Sequence, residues 1–360
     1  MKRTKFYNVH KNLGAKIVEF AGFEMPIQYS SIIAEHNAVR NSVGVFDVSH
    51  MGEVFVRGEK ALDFVQHITV NDASKLFPGR VQYSAMCYED GGIVDDLLVY
   101  RISENEFMLV INASNIEKDF EWMKSNNKFG VELLNLSDDY SLLAIQGPNS
   151  LKTLQKLTSE SINLEYYHFK KMNFAGVDVI FSRTGYTGEI GYEIYFLGDE
   201  EVAEEMWNKI FEAGQEFNIV PVGLAARDSL RLEMGYCLYG NDIDKKTNPL
   251  EAGLGWITKL SKKEFVGQKS LLKIKEQGDT RKLVAMTSDE KIFPRHGYDI
   301  MFNHSKIGVI TSGTLSPVLD RPIALGYVEK QYSEIGSEVN FLIRGKEVPA
   351  KVVKLPFVRR

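Results

Sequence analysis

From Arg281 onward the chain breaks into short β-rich runs, KLVAM, KIGVITSG, PIALGYV, EVNFLIRG and EVPAKVVKL, separated by turn residues. No helical period interrupts them, so this stretch can bury its apolar faces only as a small sandwich or barrel. The residues before it are of another kind. Strand-like and helix-like segments interleave there, with hairpins among them, the pattern of an α+β fold with antiparallel sheet. At 360 residues the chain also exceeds what one ordinary core accommodates. The charged, partly helical segment 262–280 makes the connection, and the boundary is expected at residue 277. The expected fold class is thus α+β. A module over 1–277, in two subdomains of mixed, mostly antiparallel sheets with helices, is followed by a C-terminal β-barrel over 278–360.

Local signals order the module. Residues 31–43 read as a helix stopped by Gly44, and Val45 to Val56 as one strand. Arg80 to Tyr88 and Ile93 to Ile102 read as strands joined by Glu89-Asp90-Gly91-Gly92, a hairpin signal. Glu106 to Asn112 is a third strand. Ser114-Asn115-Ile116-Glu117 then has the form of a capping box, expected to open a helix reaching Asn126. Residues 54–68 and 143–157 share a strand, a glycine and a helix, with Pro148 suited to a first helical turn. That repeat points to duplicated, ferredoxin-like halves.

The familiar signatures of several enzyme classes are missing. There is no nucleotide P-loop, no Rossmann glycine spacing in Gly185-Tyr186-Thr187-Gly188-Glu189-Ile190-Gly191, and no serine nucleophile elbow. The seven histidines are scattered without an H-x-x-x-H pair, so no metal is expected. Cys87 and Cys237 lie far apart, which excludes a disulfide framework and suits a reducing compartment. A net charge of −5 gives no general attraction to nucleic acid. The apolar runs are too short to span a bilayer, and the first residues, MKRTKFYNVHKNLGAK, lack a signal peptide's apolar region. A soluble cytoplasmic protein is expected, or one of the mitochondrial matrix if a transit peptide has been removed. Its chemistry must come from carboxylates, tyrosines, arginines and an organic cofactor.

One carboxylate pair stands out. In Gly91-Gly92-Ile93-Val94-Asp95-Asp96-Leu97-Leu98-Val99-Tyr100, a strand places Asp96 on one face with Val94, Leu98 and Tyr100, and Asp95 on the other. Both faces are otherwise apolar, so the strand reads as central and a carboxylate there needs a partner. The residues alone leave two readings open: a pair near a turn hydrogen-bonded to backbone, or a carboxylate held beside a reacting centre.

FAGFEMPIQY, VGVFDVSHMGE, GGIVDDLLVY, SRTGYTGEIGYEIY, GLAARDSLRLE and NPLEAGLGWITK are similar, in this order, to blocks of the aminomethyltransferase, or T-protein, family of the glycine cleavage system. The similarity runs from the first residues to the closing PFV. It implies a folate-binding α+β module followed by a barrel, in agreement with the reading above. The implied reaction takes the aminomethyl carbon from a lipoyl arm and joins it to tetrahydrofolate, giving 5,10-methylenetetrahydrofolate, ammonia and the dihydrolipoyl protein. The implied partner is a lipoylated H-protein, met transiently.

The resemblance also assigns residues. Asp96 corresponds to the aspartate most closely tied to catalysis, as positioner and electrostatic stabiliser first and general base second. Glu193 corresponds to the acceptor for the pterin's amino-pyrimidine edge. Arg227 corresponds to an arginine at the folate site, suited to the glutamyl carboxylates or an acidic neighbour. Tyr83, Asn112, Tyr186 and Met51 correspond to residues along the folate. His50 is left out as structural, and neither Arg359 nor Arg360 receives a role. Three other readings remain at this level. They are a folate-dependent demethylase, a non-catalytic folate-binding protein of iron–sulfur assembly, and the folate domain of a larger flavoenzyme. The second is marked by a K-G-C-x-x-G-Q-E block that this chain lacks.

Overall fold

A computed structural model describes residues 1–359, and Arg360 lies outside the described residues. The chain forms two compact units. One comprises Met1–Phe64, Ala73–Gln82 and Leu97–Asp228; the other comprises Val65–Asp72, Tyr83–Asp96 and the described residues from Ser229 onward.

The first unit holds a six-stranded sheet in the order Phe169–Phe174, Val177–Ser182, Gly191–Leu197, Tyr140–Gln146, Gly44–Asp47 and Val220–Pro221. Its pairs are antiparallel except the last, which is parallel. Alternate residues of these strands, among them Val45, Leu143, Ile145, Ile194 and Phe196, bury one face against Met206, Trp207 and Ile210 of the helix Glu200–Gly214. Asp199 caps that helix by accepting the Val202 N–H at 3.0 Å.

A five-stranded sheet runs in the order Val81–Cys87, Ile93–Ser103, Glu106–Ile111, Gly52–Arg57 and Glu132–Asn135. The 93–103 strand is interior and buried on both faces over most of its length, as its apolar faces predict. The single strand expected over 45–56 is two strands, Gly44–Asp47 and Gly52–Arg57, in different sheets. Between them Ser49 N–H donates to Asp47 Oδ1 at 2.9 Å and Met51 N–H to the Val48 carbonyl at 3.0 Å. This Asx-type turn bends the chain although the apolar alternation runs on through it.

The expected helices at 31–43 and after Ser114 are present as Ile32–Asn41 and Ile116–Ser125. The capping box is not. A 3-10 turn over Ala113–Asn115 puts Asn115 at the N-cap, which leaves Ser114 one residue too early. Both strand–glycine–helix repeats exist, and Gly58 and Gly147 turn the corner with nearly equal φ of +129° and +127°. The second helix starts at Ser150, so Pro148 precedes its cap residue, Asn149.

In the second unit a closed, fully antiparallel barrel runs in the order Arg281–Thr287, Arg321–Glu329, Ser305–Ser316, Asp299–Phe302, Glu338–Ile343 and Lys346–Val353. Pairing of Ala285 with Val353 closes it, and no strand edge is left exposed. Met286, Ile300, Ile310, Ala324, Phe341 and Val352 fill its interior. The short strand 299–302 was not among the runs read from the sequence. The helix Gln268–Gln277 precedes the barrel in the segment read as a partly helical connection. Both cysteines are buried, and neither is in a disulfide. Among the described residues no helix is long and apolar enough to cross a membrane, and no His/Cys/Asp/Glu group could hold a metal.

Candidate functional site

Asp96 lies on the 93–103 strand, in the second unit, and is half-buried where its neighbour Asp95 is fully buried. What fixes it starts at the two glycines upstream. A Cβ on Gly92 would come within 2.2 Å of the Lys245 carbonyl oxygen, so only glycine lets the 244–247 segment approach this closely. Ile93 N–H then donates to the carbonyls of Asp244 and Thr247 at 3.2 and 3.0 Å, and the Tyr239 hydroxyl donates to the Ile93 carbonyl at 3.1 Å. The start of the strand is thereby clamped three residues before Asp96. Across the hairpin, the Tyr83 hydroxyl donates to Asp96 Oδ2 at 2.9 Å. The Tyr83 ring lies 6.2 Å from that of Trp256, which is 65% exposed. Burial, with the charges of Asp242 and Asp96, pushes the Cys237 thiol well up. It therefore stays protonated, and Asp96 has no thiolate competitor beside it.

Glu193 lies on the 191–197 strand of the first unit, paired with Ser182 on one side and Ala144 on the other. Its Oε2 accepts from the Thr184 hydroxyl at 2.5 Å and from the Tyr195 hydroxyl at 3.4 Å. Behind these stands a closed set of hydroxyls. Tyr100 lies 3.0 Å from Tyr195, 3.1 Å from Ser182 and 3.2 Å from Thr184, and Ser182 lies 3.0 Å from Thr184. The set is buried, so each hydroxyl must find its partner within it. One carboxylate oxygen of Glu193 is anchored in this way, and its other oxygen takes none of these bonds. Burial raises the proton affinity of Glu193, and the Thr184 hydrogen bond, the charge of Arg227 and the Tyr195 hydroxyl offset part of that rise.

Arg227 sits in the first turn of the helix Leu224–Met234, and its guanidinium lies 4.5 Å from the centre of the Tyr186 ring. Glu35 ties down the start of that helix. It accepts the N–H groups of Tyr29, Ser30 and Gly223, each at 2.8 Å. Tyr186 is carried by the glycine-rich loop, and Gln146 holds both of the loop's ends. A Cβ on Gly185 or Gly191 would fall 2.1 or 2.3 Å from the Gln146 side chain. That side chain accepts from Thr187 at 2.9 Å and donates to the Thr184 carbonyl at 3.3 Å. Arg40, itself buried, donates to the Thr187 carbonyl at 2.6 Å and pairs with Glu189 at 2.9 Å.

Met51 and Asn112 are both half-buried. The pairing of Gly52 with Ile111 puts them at the same end of one strand pair. His50, read as a satisfied structural histidine, is fully buried but its Nδ1 has no partner. Burial and the charge of Arg227 bring its pKa down to about 3, so the imidazole is neutral.

The structure thus joins Tyr83 to Asp96, Tyr186 to Arg227, and Glu193 to the field of Arg227. Sequence reasoning missed Thr184, Tyr195, Tyr100, Gln146 and Arg40. A period-2 signal was available for some of them: Ser182 and Thr184, and Glu193 and Tyr195, are polar residues spaced two apart. Gln146 and Arg40 gave none, because their role depends on a loop about forty and a hundred and fifty residues away.

Comparison with known proteins places the whole chain in one family. Residues 6–262 match the GCVT N-terminal domain, and residues 281–359 match the glycine cleavage T-protein C-terminal barrel domain. An aminomethyltransferase of Flavobacterium psychrophilum is 56% identical, with both chains covered in full. One of Halothermothrix orenii is 50% identical over 99% of this chain and 100% of its own. The crystal structure of the glycine cleavage system aminomethyltransferase T from Bartonella henselae superposes with a TM-score of 0.92 at 36% identity, covering 99% of this chain and 98% of that one. The fold and the order of the sequence blocks lead to the same place, and the chain belongs to the glycine cleavage T-protein, or aminomethyltransferase, family.

Proposed function

We propose that this protein transfers the one-carbon unit of an S-aminomethyl-dihydrolipoyl carrier protein to tetrahydrofolate. The products are 5,10-methylenetetrahydrofolate, ammonia and the dihydrolipoyl protein. The carbon exchanges its bonds to sulfur and amine nitrogen for bonds to two folate nitrogens, whose protons leave with the thiol and the ammonia. The observation that carries the reading is the match to aminomethyltransferases along the whole chain at half identity or better. The functional division proposed is a folate-binding module over 1–277 and an accessory barrel over 278–360. The carrier is a lipoylated H-protein that docks and leaves, and the setting is cytoplasmic, as suits bacterial relatives.

In this reading the Asp96 carboxylate, oriented by Tyr83, stabilises positive charge on the transferring carbon and accepts a folate proton. Glu193 takes the donors of the pterin's amino-pyrimidine edge. A carboxylate whose one oxygen is already anchored presents the other in a fixed direction, so little orientation is lost on binding. Arg227, held against Tyr186, attracts the acidic tail. Tyr83, Tyr186, Asn112 and Met51 line the folate. The fit rests on the chain's own donors and acceptors and calls on no metal.

Calorimetric titration with tetrahydrofolate tests the binding half. Wild-type protein is expected to bind, and Glu193→Gln to bind at least about tenfold more weakly, because an amide that keeps its oxygen on the Thr184 and Tyr195 hydroxyls turns a donor toward the ring's donors. Equal affinity in both proteins would contradict the role of Glu193.

A further inference from the structure

Glu53 is a buried acid with no evident structural use. It is 1% exposed, and neither carboxyl oxygen has a hydrogen-bond partner. Its backbone is fully engaged: its N–H donates to Ser137 Oγ at 3.1 Å and its carbonyl accepts from Leu136 N–H at 3.0 Å. The side chain is therefore held where the 52–57 strand puts it. It shares a strand face with Phe55, whose ring stacks on Tyr140 at 5.7 Å. Tyr140 belongs to the six-stranded sheet and pairs with Leu197 of the strand that carries Tyr195 and Glu193. The ionisable groups whose charge bears on Glu53 are then Glu193 and Tyr195 from the 191–197 strand and Tyr140 from the 140–146 strand. On the 106–111 strand its partner is the apolar Val110.

A carboxylate buried without a donor is far costlier than the neutral acid. The like charge of Glu193 adds to that cost, and one of the two acids keeps a proton. The environments decide which. Glu193 has the Thr184 and Tyr195 hydroxyls and the field of Arg227 to favour its anion, and Glu53 has none of them. Burial first, then Glu193, pushes the Glu53 carboxyl well above its usual range.

We propose that Glu53 is a positioning residue for folate binding: the neutral carboxyl member of a Glu53–Glu193 pair, which leaves Glu193 as the anion facing the pterin. The inference rests on the folate reading above and adds an alkaline limit to it. Ionising Glu53 adds a second anion to the field of Glu193 and draws water into the packed strand face it shares with Phe55. Binding then weakens about tenfold for each pH unit above the ionisation of Glu53.

The test is tetrahydrofolate titration of wild type and Glu53→Gln from mildly acidic to alkaline pH. It is paired with infrared spectra of both proteins and of Glu193→Gln. Wild type is expected to lose affinity on the alkaline side, while Glu53→Gln, neutral at every pH, does not follow that loss. A protonated-carboxyl stretching band is expected at neutral pH in wild type and Glu193→Gln, vanishing at alkaline pH and missing in Glu53→Gln. Parallel alkaline loss in wild type and Glu53→Gln overturns the inference alone, and so does absence of the band from wild type. The band in wild type and Glu193→Gln decides the matter if Glu53→Gln does not fold. No binding by wild type at any pH overturns the folate reading, and the inference with it.

Discussion

A hydroxyl 2.9 Å from a carboxylate oxygen orients both groups, and Tyr83 and Asp96 stand in that relation. Removing the hydroxyl and removing the charge should therefore differ in size. Asp96→Asn is expected to lower turnover by about a hundredfold or more, since a group that stabilises developing charge or moves a proton contributes that much. Tyr83→Phe forfeits about 1 kcal/mol of orientation, roughly fivefold in turnover. Steady-state assay of the two variants checks the order, and a larger loss in Tyr83→Phe would contradict it. Glu53 makes a separate prediction about stability. Its folded-state pKa lies above its unfolded one, so its contribution is full below the unfolded carboxyl range and is lost as pH rises toward the folded value. Melting of Glu53→Gln should lack that part of the pH slope seen in wild type. The Asp95–Asp96 pair was conspicuous in the sequence because two apolar faces make any carboxylate on that strand stand out, and the family resemblance alone singled out Asp96. Glu53 was not, since a glutamate in an alternating strand reads as solvent-facing until the opposing sheet is known.

Glycines set where elements meet, and each acts through a partner remote in sequence. Gly191 leaves room for the Gln146 side chain, which holds both ends of the loop carrying Tyr186. Gly191→Ala should destabilise by about 1–3 kcal/mol, and Gln146→Ala should relieve part of that loss in the double variant. Strict additivity of the denaturation midpoints would sink this account of the loop. Lys262 works in the second unit. Its ammonium donates to the carbonyls of Gln66, Thr69 and Asn71 at 2.8, 2.5 and 2.6 Å, and to Gln66 Oε1 at 3.0 Å. These acceptors lie at and just past the end of the helix Ala61–Ile68, where a cation is favoured. Lys262→Met is expected to lose about 2–4 kcal/mol, read as a lower denaturant midpoint with an unchanged slope. The elements themselves were mostly legible, because periodicity and turn dipeptides are local signals. The break at Val48–Met51 was not, since apolar alternation cannot report that the chain changes sheets. The capping box failed because one intervening 3-10 turn shifted the register by a residue.

At the scale of the molecule, short β runs separated by turns predicted the barrel correctly, since no other arrangement leaves such a segment without exposed edges. The strand–glycine–helix repeat likewise survives as two corners of the same backbone geometry. The interleaving of the two units was invisible: residues 65–72 and 83–96 join the C-terminal unit although they lie among residues of the other. A ligand that binds only the folded chain adds stability by mass action, so tetrahydrofolate at a hundredfold excess over its dissociation constant should contribute about 2.7 kcal/mol. Thermal denaturation with and without folate reads this directly, and an unchanged midpoint would contradict folate binding. The central claim is aminomethyl transfer. Its most direct test mixes the protein with an aminomethyl-loaded lipoyl carrier and tetrahydrofolate and follows methylenetetrahydrofolate, with Asp96→Asn in parallel. The account predicts product from wild type and a collapse of turnover in the variant with folate still bound. Folate binding without product from wild type would move the substrate to another one-carbon donor and contradict the account.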